Sequence, residues 1–311
     1  MRLPLAALLL VPLSLAAAEP DYKVLAADKG RLAIVNGKGE VEWEMPVRHD
    51  VHDLHVLPNG NILTHTSSTL TVEIEPKKKE IVWKYESKPK EGYAGKIEVH
   101  SFQRLADGNT MIAEGGNSRI IEVNAEGKIV KEVPLKVKQS NAHRDTRRVR
   151  KLDSGNYLVC QEGEGAAREY DPSGKVVWEY ALDLGARKRS GGHGPEGHGV
   201  ELFSAYRLAN GNTLIGGGNN NRVLEVDKDG KIVWQVDQGD LPGVTLAWVT
   251  ALQVLPNGNV IIGNCHAGEK NPQLIEVNRD KKVVWTFQNF KTFGNSLASS
   301  WVLGVDGNVI R

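Results

Sequence analysis

Short apolar runs alternate with polar turns along nearly the whole chain. One stretch reads "GNTLIGGGNNNRVLEVDKDGKIVWQV" (Gly211–Val236), in which each run is rich in β-branched residues and ends at a Gly-, Asn- or Asp-rich turn. Asn-Gly and Asp-Gly favour tight hairpins because these residues tolerate positive φ. The pattern therefore predicts consecutive antiparallel strands rather than helices.

The turn repeats at nearly constant spacing. "LPNGN" at Leu57–Asn61 has five further versions, and the anchor glycines lie 48, 47, 56, 47 and 49 residues apart. These glycines are Gly60, Gly108, Gly155, Gly211, Gly258 and Gly307. Such a period, with four predicted strands per unit, is typical of a propeller blade.

Counting the units predicts an all-β, six-bladed β-propeller over residues 19–311. Five units are complete. The N-terminal piece Lys23–Pro46 supplies the second, third and fourth strands of a sixth blade, and the C-terminal piece Ser299–Arg311 supplies its first. Both chain ends then close the ring, and no internal domain boundary is expected.

Two residue types recur in the units and are interpreted as architectural. A Trp near the end of most units is expected to lie between blades, because large aromatic side chains are usually buried. A Glu after the second apolar run is expected to make hydrogen bonds between blades. The set comprises Trp43, Trp83, Trp178, Trp234 and Trp285, with Lys131 in one unit, and Glu73, Glu122, Glu169, Glu225 and Glu276.

The first residues differ from the rest. Arg2, the apolar run Leu3–Leu15 and three alanines predict a signal peptide over residues 1–18, cut before Glu19. No cysteine follows the run, so no lipid anchor is predicted, and we expect a periplasmic or secreted protein. No later run reaches membrane-spanning length.

Charge and cysteine content limit the partners. The chain has 39 Lys and Arg and 38 Asp and Glu, so removing Arg2 leaves 38 of each. A neutral chain argues against nucleic-acid binding, which needs a basic surface. Cys160 and Cys265 fall in different units and are interpreted as separate free thiols. We expect a monomer that binds a small molecule or a protein.

Histidines concentrate where a site is expected. The loops that enter the first strand of each blade surround the axis, and seven of the nine histidines fall in them. They are His49, His52, His55, His100, His143, His193 and His198. Acids stand ten residues before four anchor glycines, at Asp50, Glu98, Asp145 and Glu201.

Other residues are predicted to bind a ligand at the same face. Arg31, Arg119 and Arg222 occupy equivalent positions after the second strand and suit a sulfate, phosphate or carboxylate, or pair with the neighbouring acids. Trp248 and Trp301 stand at the entrances of the remaining blades. The long Gly-rich loop Gly185–Gly199 is a candidate lid or partner contact.

Three interpretations of this axial mouth stay open. It binds a ligand or partner through imidazole and carboxylate groups, it performs group transfer through a histidine, or it holds a divalent metal. The sequence alone does not identify metal ligands.

Two family resemblances bear on these alternatives. Units such as "EYDPSGKVVWEY" and "EVDKDGKIVWQV" resemble the quinoprotein-type (PQQ-like) propeller repeat. The chain lacks the adjacent cysteine pair of the quinone-binding dehydrogenases, so no PQQ is predicted. "HDLHVLPNGNIL" (His52–Leu63) is similar to arylsulfotransferase-like propellers. This resemblance implies sulfuryl transfer through an active-site histidine, and the candidate catalytic residues are then His52, His100, His143 and His198.

Overall fold

A computed structural model of the protein describes residues 20–307 together with residues 309 and 310. Within these residues, six four-stranded antiparallel sheets form the blades of a propeller. The regular structure besides strands is one 3₁₀ turn at Glu162–Glu164. The predicted signal peptide and the expected cleavage before Glu19 lie outside the described residues.

Blades are numbered from the one that contains both chain ends. Blade 1 consists of β1 (Lys23–Asp28), β2 (Arg31–Val35), β3 (Val41–Pro46) and β24 (Ser300–Leu303). Blade 2 consists of β4 (His55–Val56), β5 (Ile62–His65), β6 (Leu70–Glu75) and β7 (Glu80–Glu86). Blade 3 consists of β8 (Glu98–Arg104), β9 (Thr110–Gly115), β10 (Arg119–Val123) and β11 (Ile129–Pro134).

The remaining blades follow in chain order. Blade 4 consists of β12 (Val149–Lys151), β13 (Tyr157–Gln161), β14 (Ala166–Tyr170) and β15 (Val176–Ala181). Blade 5 consists of β16 (Ser204–Arg207), β17 (Thr213–Gly216), β18 (Val223–Val226) and β19 (Ile232–Val236). Blade 6 consists of β20 (Trp248–Val254), β21 (Val260–Cys265), β22 (Leu274–Val277) and β23 (Val283–Phe287).

The two ends of the chain close the ring in blade 1, as predicted. β24 pairs with β1 in the register Val24↔Val302, so the C-terminal strand becomes the innermost strand of a blade made otherwise from the N-terminus. Beyond it, Ile310 exchanges two backbone hydrogen bonds with Val254 of blade 6. The six-bladed, all-β prediction is confirmed.

The apolar core lies between blades. Six buried clusters each draw residues from two neighbouring blades, and together they fill all six interfaces. Leu158 of blade 4, for example, packs in one cluster with Leu224 of blade 5. Each fully buried Leu or Ile contributes about 2 kcal/mol, so the ring is stabilised mainly by face-to-face packing.

A polar latch ties neighbouring blades together at four of the six interfaces. Glu169 accepts hydrogen bonds from Asn156 of its own blade at 2.6 Å and from Arg207 of the following blade at 2.6 Å. The Arg207 guanidinium lies 5.0 Å from the ring centroid of Trp178 in the preceding blade. The same Glu–cation pairing recurs at Glu73–Arg104, Glu122–Lys151 and Glu225–Arg279.

The repeated tryptophans also bridge blades. The indole Nε1–H of Trp178 donates to the backbone carbonyl of Lys228 in the next blade at 3.1 Å. Equivalent bonds join Trp43 to Pro76, Trp83 to Ala125, and Trp234 to Arg279. The architectural interpretation of these Glu and Trp residues is therefore confirmed.

The loops that enter the first strand of each blade share one face of the propeller, here called the upper face. Below this face, a buried cluster of charged side chains fills the axis. Asp53, which is 1% exposed, forms ion pairs with Arg148 and Arg150 and accepts a hydrogen bond from Ser101. The remaining cavity measures only about 10 Å³. Burial alone would raise the pKa of Asp53, but the two guanidiniums hold it well below its usual value.

The latch yields a first prediction. Arg207→Ala removes the bond to Glu169 and the contact with Trp178, so we expect the free energy of unfolding in urea to fall by about 2 kcal/mol. Lys228→Ala breaks an exposed ion pair with Asp229 in the same blade and should leave the urea midpoint unchanged. If both substitutions lowered the free energy of unfolding equally, the stabilising role of the latch would be contradicted.

The axial cluster yields a second prediction. Asp53→Asn leaves two buried guanidiniums without a counter-ion, so we expect a loss of about 3 kcal/mol at pH 7. Because the folded pKa is depressed, the carboxylate's contribution is complete above its unfolded pKa of about 3.9 and fades as the pH falls towards the folded value. The difference between the two proteins in urea unfolding should therefore shrink below about pH 4.

The control is Asp50→Asn, because Asp50 lies three residues away and is exposed. It should change stability little at either pH. A difference between wild type and Asp53→Asn that stays constant from pH 7 to pH 3 would count against the ion pairs.

Candidate functional site

Three of the four candidate catalytic histidines meet on the upper face of the propeller. His52 precedes β4, His100 lies in β8 and His143 lies in the loop before β12. Their ring centroids are 4.4 Å apart for His52–His100 and 5.0 Å apart for His100–His143. We call these three residues the histidine wall.

His100 reaches the axis because its strand is bulged. Val99 pairs with Glu114 and Ser101 pairs with Ala113, so His100 is the extra residue between them. A bulge re-aims a side chain away from the regular alternation of the strand. The bulge was not predicted from the sequence.

Glu98 connects two of the histidines. Its Oε2 lies 2.7 Å from Nδ1 of His143 and 3.1 Å from Nε2 of His100. The close contacts with His100 and His143 lower the pKa of Glu98 to about 2. The predicted acid before the anchor glycine is thus a carboxylate at neutral pH, shared by two imidazoles from adjacent blades.

Burial keeps the inner imidazoles neutral. It lowers the pKa of His100 to about 4, with a smaller effect of Arg147, and it lowers the pKa of His52 well below its usual value. His52 Nδ1 is buried and has no hydrogen-bond partner among the described residues. These rings therefore offer nitrogen lone pairs rather than positive charge to a ligand.

His65 supports the histidine wall from behind, and the sequence analysis did not select it. Its Nδ1–H donates to the carbonyl of Ser67 at 3.2 Å, and its Nε2 accepts the backbone N–H of His52 at 2.9 Å. Burial lowers its pKa to about 3. The available signal was its place at the end of a second strand, which finishes on the upper face.

Arginines lie next to the histidine wall, but they are not the three that were predicted. Arg147 Nη2 donates to Nε2 of His143 at 2.8 Å, and its Nε forms an ion pair with Glu162. Arg144 also contacts Glu162, at 3.1 Å. Arg147 Nη1 is buried without a partner among the described residues.

Two buried aromatic side chains, here called the aromatic wall, lie beside the histidines. Phe203, just before β16, lies 6.4 Å from His52 between ring centroids and packs with Trp248, the first residue of β20. Arg147 approaches the Phe203 ring to 5.8 Å. Trp248 was predicted as a ligand-binding residue, whereas Phe203 was not selected.

The long loop Gly185–Gly199 reaches this aromatic wall. The ring centroid of His193 lies 4.2 Å from that of Trp248 and 5.1 Å from that of His266. A pocket of about 560 Å³ lies between the loop, His266 and Asn295. Cys265 beside it is a free thiol, as is Cys160, and burial raises the pKa of both.

The other predicted site residues lie apart from the histidine wall. His198 bonds to Gln238 at 3.1 Å, and Trp301 packs in the interface between blades 1 and 2, 6.0 Å from His55. The three predicted arginines are engaged near their own blades: Arg31 with Glu44, Arg119 with Glu114 and Glu132, and Arg222 with Asn220 and the carbonyl of Asp183.

Solved structures share this architecture. A protein of unknown function from Bacteroides caccae is 25% identical, with a TM-score of 0.75 over 93% of this chain and 100% of its own. A streptogramin B lyase is 13% identical, with a TM-score of 0.57 over 88% of this chain and 85% of its own.

A third structure, a catalytically inactive virginiamycin B lyase from Staphylococcus aureus with quinupristin, is 12% identical. Its TM-score is 0.56 and the match covers 95% of each chain. At these identities the two lyases show the fold alone. No curated protein matches the chain. Among the residues that the structure describes, no helix has the length and apolar character to cross a membrane.

The family comparison agrees with the repeat pattern. The model of the PQQ-like family described as outer membrane protein assembly factor BamB matches residues 28–227. That segment is more than half of the 311 residues. The protein therefore belongs to this family of PQQ-like propeller repeat proteins.

Proposed function

We propose that the protein is an exported binding module, periplasmic or secreted, that holds a ligand at the upper mouth of its propeller. The observation that carries this proposal is the pair of adjoining walls, with the neutral imidazoles of His52 and His100 on one side and Phe203 and Trp248 on the other. Mostly apolar pockets with a few placed polar groups are the usual form of small-molecule sites.

The mouth favours an aromatic ligand that carries an acidic group. An aryl ring can stack on Phe203 or Trp248, and aromatic pairs contribute about 1 kcal/mol beyond burial. Arg147 Nη1 and His52 Nδ1 are buried polar atoms without partners among the described residues. A buried donor left unbonded is costly, so a sulfate or carboxylate that bonds Arg147 gains that free energy.

The long loop supplies a cover for such a ligand. His193 rests on Trp248, and the adjoining pocket of about 560 Å³ lies within the range of about 300–1,000 Å³ that is usual for ligand pockets. The loop contains six glycines between Gly185 and Gly199, which ease its movement off the aromatic wall. Binding would then replace the His193–Trp248 contact with a ligand–Trp248 contact.

The test uses 4-nitrophenyl sulfate as the probe, with binding measured by isothermal titration calorimetry. Wild type should bind one equivalent, and Trp248→Leu should weaken binding by about fivefold or more because the stacking surface is lost. Trp234→Leu is the matched control, since Trp234 lies on the outer strand of blade 5. An equal loss of affinity in both variants, or no binding by wild type, would contradict the proposal.

Group transfer through a histidine is the second candidate function. It is favoured by Glu98, because a carboxylate bonded to two imidazoles can orient one of them as a nucleophile or base. His143, about half of whose side chain is exposed, is accessible for that role.

The same probe distinguishes transfer from binding. With phenol as acceptor, a transferase should release 4-nitrophenolate, and His143→Ala should lower the rate by at least about 100-fold. His198→Ala, on the same face but bonded to Gln238, should retain the rate. Binding of the probe without release of 4-nitrophenolate by wild type would exclude transfer from this ester.

A further inference from the structure

Glu98, His100 and His143 bring three potential metal-ligating atoms together. One ligand atom from each lies within 4.8 Å of the others. The three side chains come from the beginnings of blades 3 and 4, and Glu98 Oε2 is the atom they share. His100 is buried, whereas Glu98 and His143 face the mouth.

The hydrogen bond that His100 makes to Thr146 leaves an unfavourable contact between His100 and Glu98. The carbonyl oxygen of Thr146, 3.1 Å from His100 Nδ1, can only accept a hydrogen bond, so Nδ1 carries the proton of the neutral ring. His100 Nε2 then points a lone pair at the Glu98 carboxylate, 3.1 Å away. Two acceptors at this distance repel each other unless a cation, either a proton or a metal ion, lies between them.

We propose that a divalent metal ion of the zinc class is this cation and that it binds Glu98, Nε2 of His100 and Nδ1 of His143. Two imidazole nitrogens and one carboxylate oxygen form a ligand set that zinc uses in open sites. Ligand atoms in a tetrahedral zinc site lie about 3.3 Å apart. The present separations of 2.7 and 3.1 Å from Glu98 Oε2 need to expand only by a few tenths of an ångström.

The surrounding residues complete the site. The Thr146 carbonyl accepts the Nδ1–H of His100 and so directs Nε2 towards the metal, as backbone carbonyls commonly do for metal-binding histidines. The His52 ring lies 4.4 Å from that of His100, and its unpartnered Nδ1 can bond a water or an anionic group in the fourth position. The metal would thus face the same mouth as the proposed ligand, although its binding does not depend on that ligand.

Arg147 is expected to weaken metal binding, and this effect can be tested. It donates to His143 Nε2, which keeps the ring proton on Nδ1. Metal binding at Nδ1 shifts that proton to Nε2, with no proton lost, and Arg147 must then turn away. Its ion pair with Glu162 gives it another partner, and Arg144 also contacts Glu162.

In the experiment, the full chain is first treated with a chelator to remove bound metal. Co²⁺ is then added stepwise in the absence of any organic ligand, and the visible absorption of the bound ion is recorded. We expect one equivalent with an intense tetrahedral-type band, displaced by Zn²⁺. Glu98→Gln and His143→Ala should each weaken Co²⁺ binding at least about tenfold. Arg147→Gln should strengthen it, because it removes a positive charge and frees the His143 tautomer.

The control variant is His198→Ala, which also removes one upper-face histidine but should leave Co²⁺ binding unchanged. His143 is half exposed, so its truncation should preserve the fold, and urea unfolding checks this for each variant. Absence of a saturable Co²⁺ band in wild type, or an unchanged band in His143→Ala, would overturn the metal site. Neither result depends on whether 4-nitrophenyl sulfate binds.

Discussion

Closure of the ring is the constraint on which the rest of the structure depends. A four-stranded blade has two apolar faces, and each is covered only when a neighbouring blade packs against it. Blade 1 meets this constraint by joining β24 to β1. The same closure brings residues as distant in sequence as His52 and Phe203 to within 6.4 Å of each other, measured between ring centroids.

The fold could be predicted because its signals are local and repeated. The anchor glycines adopt positive φ in every turn, for example 84° at Gly60 and 85° at Gly155, which explains why this residue recurs there. The Glu and Trp positions also repeat, because four of the six interfaces use the same Glu–cation latch. Repetition identifies architecture well, since a residue that is needed at each interface appears once in each blade.

The site could be predicted only in part, because it consists of departures from the repeat. Equivalent positions selected His52, His100 and Glu98, whose side chains lie close together, but they could not reveal the bulge at His100. His65, Phe203 and Arg147 depend on contacts between blades that no spacing encodes. Three predicted ligand-binding arginines share one position in their blades: Arg31, Arg119 and Arg222. Each nevertheless pairs with a different kind of local partner, which the shared position did not indicate.

The arrangement of charge gives the mouth its chemical character. Asp53 neutralises one of the two guanidiniums that fill the axis, while Glu98 contacts the imidazoles of both His100 and His143. We expect a cation to lie between Glu98, His100 and His143. Anomalous diffraction at the zinc edge, from a crystal grown with zinc, tests it most directly. A single strong peak about 2 Å from Glu98, His100 and His143 is the predicted result. An anomalous map without a peak at these three residues, with the carboxylate–imidazole contacts unchanged, would contradict it.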